Sequence, residues 1–232
     1  WRALGYDPPT YLGSLSASRE NTPAFPTVDF SLHHSARQAG GGMNALEQAV
    51  GHLARVLEEH RIPYMLIGGI ANLVWGEPRA TLDVDATVLV EETAWPALLQ
   101  HLRRAFRILP RKPLEFLRET HVLPVESREG VRIDLIWATM PYEHQAIARA
   151  TLEQVAGQRA RVCRPEDLII HKMISNRPKD RDDVQAVIRH QGPRLNRRYL
   201  TKMVGELATA LAQPELLAFL RSCFRPPRTS QR

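Results

Sequence analysis

Two short apolar runs carry aspartate where a sheet interior would take an aliphatic residue, and a third ends on a double glycine. Asp83-Val84-Asp85 opens the run that continues to Val90, and Asp134 interrupts Val131-Arg132-Ile133-Asp134-Leu135-Ile136-Trp137. The third run, Tyr64-Met65-Leu66-Ile67, closes on Gly68-Gly69. Aspartate is a poor strand former, so two on one strand need a compensating partner. Period-2 alternation sends the side chains of Asp83 and Asp85 to the same face. Like charges so close raise one pKa unless a cation neutralises them. If the runs are neighbouring strands, the three carboxylates meet at one end of a sheet.

Hard divalent cations take oxygen ligands, and Mg²⁺ is held by a few carboxylates together with substrate phosphates. The pattern therefore points to metal-assisted transfer of a nucleotide. Each element also has a plainer reading. Gly68-Gly69 serves a tight strand-to-helix turn as well as it serves a phosphate, to which bare backbone N–H groups at a helix start are suited. Asp83 and Asp85 could sit on a solvated strand end, and Asp134 could pair with Arg132 or Arg79. Arg79 itself could contact phosphate or pair with Asp83 and Asp85.

The rest of the chain limits the alternatives. Its 232 residues are 44% hydrophobic and 24% charged, the balance of an ordinary globular protein. No apolar stretch approaches the roughly 20 residues of a membrane span. Cys163 and Cys223 lie far apart without a CxxC partner, which suits unpaired thiols in a reducing, cytoplasmic setting. His144 and His171 lack the spacing of zinc ligands. From Met43 to Gln185 there are 19 Lys and Arg against 20 Asp and Glu, but from Ala186 to Arg232 there are 9 against 2. The C-terminal excess, with Arg194, Arg197, Arg198 and Lys202 clustered, suits either a polyanion such as RNA or a solvated helix face.

Residues 1–42 are rich in Pro, Ser, Thr and Gly, lack apolar periodicity, and end in Gly40-Gly41-Gly42. They read as a disordered leader or a non-native extension, with Met43 as the natural start. Residues 43–164 read as the catalytic core. Asn44 caps a helix through Leu46, Val50, Leu53 and Leu57. Ile70 to Trp75 suits a short helix, Thr81 to Val90 a strand, and Ala94 to Phe106 an amphipathic helix. His121–Val125 with Val131–Trp137, and the segment from Gln154 to Arg161, suit hairpins. Residues 165–232 read as a helical C-terminal subdomain. Pro165-Glu166-Asp167 starts its first helix, and three more run from about 179 to 190, 196 to 211 and 214 to 224. The expected fold class is α/β (α+β): a short, mixed, twisted sheet flanked by helices, with the helical part closing over the nucleotide.

Gly68-Gly69, the stretch Gly76-Glu77-Pro78-Arg79-Ala80-Thr81, Asp83-Val84-Asp85 and the later Asp134 together resemble the minimal nucleotidyltransferases of the DNA polymerase β superfamily. Glu166-Asp167-Leu168-Ile169-Ile170-His171-Lys172, followed by Arg177-Pro178-Lys179-Asp180 and Asp183, is similar to the AbiEii-type toxin group. The resemblance covers about Leu53 to Ile188. It implies that Asp83 and Asp85 bind two Mg²⁺ ions holding an NTP, and that Asp134 completes the second site as ligand or base. Gly68 and Gly69 would cradle phosphates, Lys172 would neutralise phosphate charge, and Asp180 would orient that helical pair or contact the nucleotide. Many superfamily members carry Gly-Ser at the glycine pair, so a hydroxyl is missing here. The implied acceptor is an RNA or tRNA hydroxyl or a protein, with a cognate antitoxin or toxin as partner. Without the resemblance, Lys172 and Asp180 also suit a salt bridge across a helix hairpin. Two further readings stay open: a non-catalytic module of the same fold, and transfer to a small molecule such as an antibiotic.

Overall fold

The structure, a computed structural model, describes residues 44–175 and 177–225. The leader 1–42 and Met43 lie outside these residues. Helix α1 (Ala45–Glu59) is closed by a reciprocal capping box, in which the Asn44 side chain accepts from the Glu47 N–H and Glu47 accepts from the Asn44 N–H, both at 2.9 Å. Its buried stripe, Val50, Leu53, Ala54 and Leu57, follows the helical repeat. Strand β1 (Tyr64–Leu66) leads directly into α2 (Gly68–Trp75), and β2 spans Asp83–Val88. The two glycines thus form the first turn of α2 rather than a loop ahead of it.

Helix α3 (Trp95–Ala105), strand β3 (Arg107–Ile108), helix α4 (Pro113–Thr120) and the hairpin β4 (Val122–Glu126) and β5 (Arg132–Trp137) follow. Then come α5 (Pro141–Arg149) and the hairpin β6 (Thr151–Val155) and β7 (Gln158–Val162). The chain finishes in α6 (Pro165–Ser175), α7 (Pro178–Gln191), α8 (Arg197–Ala210) and α9 (Glu215–Cys223). Helices α4 and α5 escape the sequence reading because both are short and amphipathic over barely two turns. Each nevertheless begins with Pro at its first position and an acid two residues on, Glu115 and Glu143, which is a start signal.

One mixed sheet orders its strands β3-β4-β5-β2-β1-β7-β6. Strand β2 runs antiparallel to β1 and parallel to β5, and β1 runs parallel to β7. Burial alternates along β5, with Ile133, Leu135 and Trp137 inside. In β2 Val84, Ala86 and Val88 are likewise inside, while the opposite face carries Asp83 and Asp85 near its start and buried Thr87 further along.

A single apolar core joins the sheet to the C-terminal helices: Leu66, Ile70 and Leu135 belong to the same cluster as Leu168, Val187, Leu200 and Leu220. Polar ties reinforce it. Trp75 Nε1 donates to the Cys163 carbonyl at 2.7 Å, and Gln191 donates to the Trp75 carbonyl at 3.0 Å. Buried Asp167 accepts from Arg149 at 2.7 Å and from the Tyr199 hydroxyl at 3.0 Å. No described helix is long and apolar enough to cross a membrane. Cys163 is buried, Cys223 half-buried, and both are free thiols.

Candidate active site

Asp85 and Asp134 are register partners on the parallel strands β2 and β5, and Asp83 stands opposite Arg132 at the start of the same ladder. Register partners on parallel strands project to one face, so all three carboxylates leave the same side of the sheet near one end. The antiparallel pairing of β1 brings its C-terminal end there too, with Leu66 opposite Ala86. The Ile67 N–H donates to the Asp85 carbonyl at 2.9 Å. Gly68 therefore begins α2 beside the Asp85 side chain.

The fit between those two residues is close. Gly68 has φ +61°, and a Cβ added there would overlap Asp85 Oδ2 and lie 3.0 Å from its Cγ. Only a residue without a side chain satisfies both demands. Gly68→Ala is expected to destabilise the protein by about 2 kcal/mol or more, combining left-handed strain with displacement of Asp85. Gly130→Ala is the control, because Gly130 has φ +80° with nothing near its Cβ position. Urea denaturation of both variants separates the collision from the strain. Equal losses would remove the collision.

Burial pushes the Asp85 carboxyl up to about 7, with Asp83 and Asp134 adding to the rise and Lys172 and Arg177 opposing it. No hydrogen bond reaches its carboxylate from any described residue. Asp134 is raised by burial too, but Arg132 Nε donates to both of its oxygens at 2.9 and 3.2 Å and pulls it back. Of the two arginines the sequence offered to Asp134, Arg132 is the one that holds it. Asp83, at the exposed strand start, accepts at 3.2 Å from the Thr81 hydroxyl.

Among the described residues no three His, Cys, Asp or Glu side chains are gathered to hold a metal ion by themselves. The three aspartates share a face, yet Asp134 is already engaged by Arg132. The donor chemistry still fits Mg²⁺, which takes one or two carboxylates and completes its shell with water and phosphate oxygens. Asp83 and Asp85 are the pair of carboxylates that could take that part.

Lys172 and Asp180 belong to a separate buried network, which half-exposed Arg79 joins at its edge. Lys172 Nζ lies 3.0 Å from Asp180 Oδ1 and 2.7 Å from Asp183 Oδ2. Arg79 grips Asp183 with two bonds, at 3.0 and 3.1 Å, rather than pairing with Asp83 or Asp85. Asp180 also accepts from Arg177 at 2.6 Å and from Ser175 at 2.7 Å. Against burial, which raises it, those bonds from Arg177, Ser175 and Lys172 hold its carboxyl down to about 2. The Lys172–Asp180 bridge is an interior pair: Lys172 is 5% exposed and Asp180 is 0%.

Sequence reasoning quoted Asp183 and Thr81 as parts of the resembling motifs but gave a role neither to Asp183, which joins Lys172 to Arg79, nor to Thr81, which reaches Asp83. Asp183 stands three residues after Asp180, one helical turn on, and that spacing was the available signal. Thr81 offered none, since its position depends on a loop. His171 lies 3.3 Å from the Tyr142 hydroxyl, its pKa lowered to about 4 by burial and by Lys172, and His144 is exposed.

No protein-family model matches the chain, and no curated protein does. Among solved structures, the antibiotic-resistance factor ANT(2'')-Ia superposes with a TM-score of 0.51 at 14% identity, covering 75% of this chain and 97% of that one. The chain has a nucleotidyltransferase fold. An antigenic nucleotidyltransferase-like protein from Paracoccidioides brasiliensis matches 76% of the chain and 92% of its own at 21% identity, with a TM-score of 0.47. The lincosamide antibiotic adenylyltransferase LnuA, in its lincomycin-bound form, covers 63% of this chain and 98% of its own at 13% identity and a TM-score of 0.42. Within the nucleotidyltransferase fold of this chain, the carboxylate cluster and the glycine pair occupy one end of the sheet.

Proposed function

We propose that the protein transfers a nucleoside monophosphate from an NTP to an acceptor hydroxyl at the Asp83, Asp85 and Asp134 cluster. The observation that carries this reading is the packing of Asp85 against Gly68. It is a carboxylate with two acidic neighbours and, among the described residues, no hydrogen-bonding partner, set beside a glycine-opened helix start. Two Mg²⁺ ions bound through Asp83, Asp85 and Asp134 would neutralise the triphosphate and activate the attacking oxygen.

The chain's own groups divide the remaining work. Gly68 and Gly69 leave the first N–H groups of α2 bare for phosphate oxygens. Asp134, its carboxyl raised by burial, takes the proton of the acceptor hydroxyl. As it does so, the acceptor oxygen bonds to the α-phosphorus and the bond from that phosphorus to the bridging oxygen breaks. Pyrophosphate leaves. Lys172 supplies positive potential while its ammonium stays tied to Asp180 and Asp183, and Arg79 adds a second cation on Asp183.

The acceptor we favour is an RNA, including tRNA, or a protein, in a bacterial cytoplasmic toxin–antitoxin or phage-defence pair of AbiEii type with a cognate partner. This rests on the motif resemblance and on the basic C-terminal stretch. The fold shared with an antibiotic-resistance factor favours a small-molecule hydroxyl as the second acceptor class. The test incubates the protein with Mg²⁺ and each labelled NTP in turn, offering total RNA, cellular protein or an antibiotic panel. Label is expected on one acceptor class and lost in Asp85→Asn. Absence of both label transfer and Mg²⁺-dependent NTP binding would leave a non-catalytic module.

A further inference from the structure

Gly68 and Gly69 are glycines for different reasons, and the difference assigns a role to Thr81. Gly68 needs its left-handed backbone and has Asp85 against it. Gly69 has no positive φ, so its backbone admits any L-residue. What excludes a side chain there is Thr81. An added Cβ would overlap Thr81 Oγ1 and lie 2.8 Å from Thr81 Cβ. The volume a side chain at 69 would fill is taken instead by a hydroxyl delivered from the end of the following loop.

That hydroxyl stands at the first turn of α2, where backbone N–H groups lack intrahelical acceptors. Its partners are the Asp83 carbonyl and Asp83 Oδ1, both at 3.2 Å. Both are acceptors, both distances are long for an O–H···O bond, and a hydroxyl has one proton to give. Thr81 is therefore weakly held, beside the carboxylates and the bare N–H groups at once.

We infer that Thr81 is a phosphate-binding residue: its hydroxyl gives its proton to an oxygen of the bound triphosphate, and Gly69 is kept bare so that it can reach. The inference rests on the nucleotidyltransferase reading of the same site and adds to it a donor from the loop before β2. Asp83, relieved of that proton, keeps both carboxylate oxygens for a cation.

The probe is inorganic tripolyphosphate with Mg²⁺, titrated calorimetrically into the full chain, which avoids assuming a base. Thr81→Val, close in shape but without the hydroxyl, is expected to weaken binding about tenfold or more, the loss of a hydrogen bond to a charged group. Thr81→Ser should stay within about twofold of wild type, since it keeps the hydroxyl. The decisive variant is the exchange Gly69→Ser with Thr81→Gly, which returns the hydroxyl from the other side of the same gap. It should bind within about threefold of wild type, whereas Thr81→Gly alone binds as weakly as Thr81→Val. A merely structural role for Thr81 would not be rescued by the exchange. Undiminished binding in Thr81→Val, or an exchanged protein that is folded yet binds no better than Thr81→Gly, removes the role of Thr81 and leaves the proposed function standing. Failure of the wild type to bind Mg²⁺-tripolyphosphate overturns both.

Discussion

Asp85→Asn is expected to yield a protein that is inactive and, at pH 8 without metal, more stable than wild type. In the folded chain the Asp85 carboxyl titrates at about 7, owing first to burial and then to Asp83 and Asp134. An unfolded aspartate titrates near 3.9. Because the folded value is the higher, the folded state holds the proton more tightly. Its stability contribution is complete below pH ~4 and is lost as the pH rises through ~7. At pH 8 the wild type must ionise a carboxylate it would rather keep neutral, a penalty of about 2–4 kcal/mol that asparagine does not incur. Urea denaturation should show the variant ahead at pH 8 and level with wild type near pH 4. Added Mg²⁺ should raise the Tm of wild type and leave the variant unmoved, since only a ligand of the folded state stabilises it. Transfer activity should fall by about 10³-fold or more, the scale for removing a group that stabilises transition-state charge. A variant less stable than wild type at pH 8 would make Asp85 a structural residue and defeat the assignment.

Lys172→Met should be the most destabilising single change in the helical half of the chain. Methionine keeps the length and apolar stem but leaves Asp180 and Asp183 without the ammonium that lies 3.0 and 2.7 Å from them. Breaking a buried pair from one side costs about 3–5 kcal/mol, because the remaining charge stays desolvated. For a chain of this size the Tm falls by about 10 °C. Here the pH dependence has the opposite sign to that of Asp85. Asp180 titrates at about 2, below its unfolded value, so its contribution is present above ~4 and disappears as the pH falls through ~2. The deficit of Lys172→Met should therefore narrow in acid. Lys112→Met, which breaks an exposed pair with Glu115, is the comparison and should leave the Tm unchanged. If the two variants melt alike, the interior network contributes nothing to stability.

The sheet and most helices were legible because their signals are local. Alternation in Ile133, Leu135 and Trp137, the Asn44 cap and the Pro165 start each depend on a few adjacent residues. Strand β2 is shorter at both ends than its apolar run, since Thr81 and Leu82 lie outside the ladder, as do Leu89 and Val90. The common face of Asp83, Asp85 and Asp134 could be foreseen because a strand has only two faces and one register places all three. The partners of the charged groups could not. Arg79 meets Asp183 across 104 residues, and Arg149 meets Tyr199 across 50, so no spacing rule reaches them. Thr81 was illegible for the same reason: its neighbour Gly69 is set by the path of a loop, which a pattern of apolar positions does not encode.

The tie from half-exposed Arg79 through buried Asp183 to Lys172 bears on how the polypeptide could be divided. Element type changes at Arg164, which invites cutting there, yet the segment upstream would then lose the carboxylate that steadies the loop feeding β2. It would also bare Leu66 and Ile70 to water where Leu168 and Val187 belong to their cluster. The helical half thus backs the end of the sheet at which the proposed nucleotide site lies. The two halves are therefore expected to melt and fold as one cooperative unit, so that a segment inserted between β7 and α6 should destabilise both.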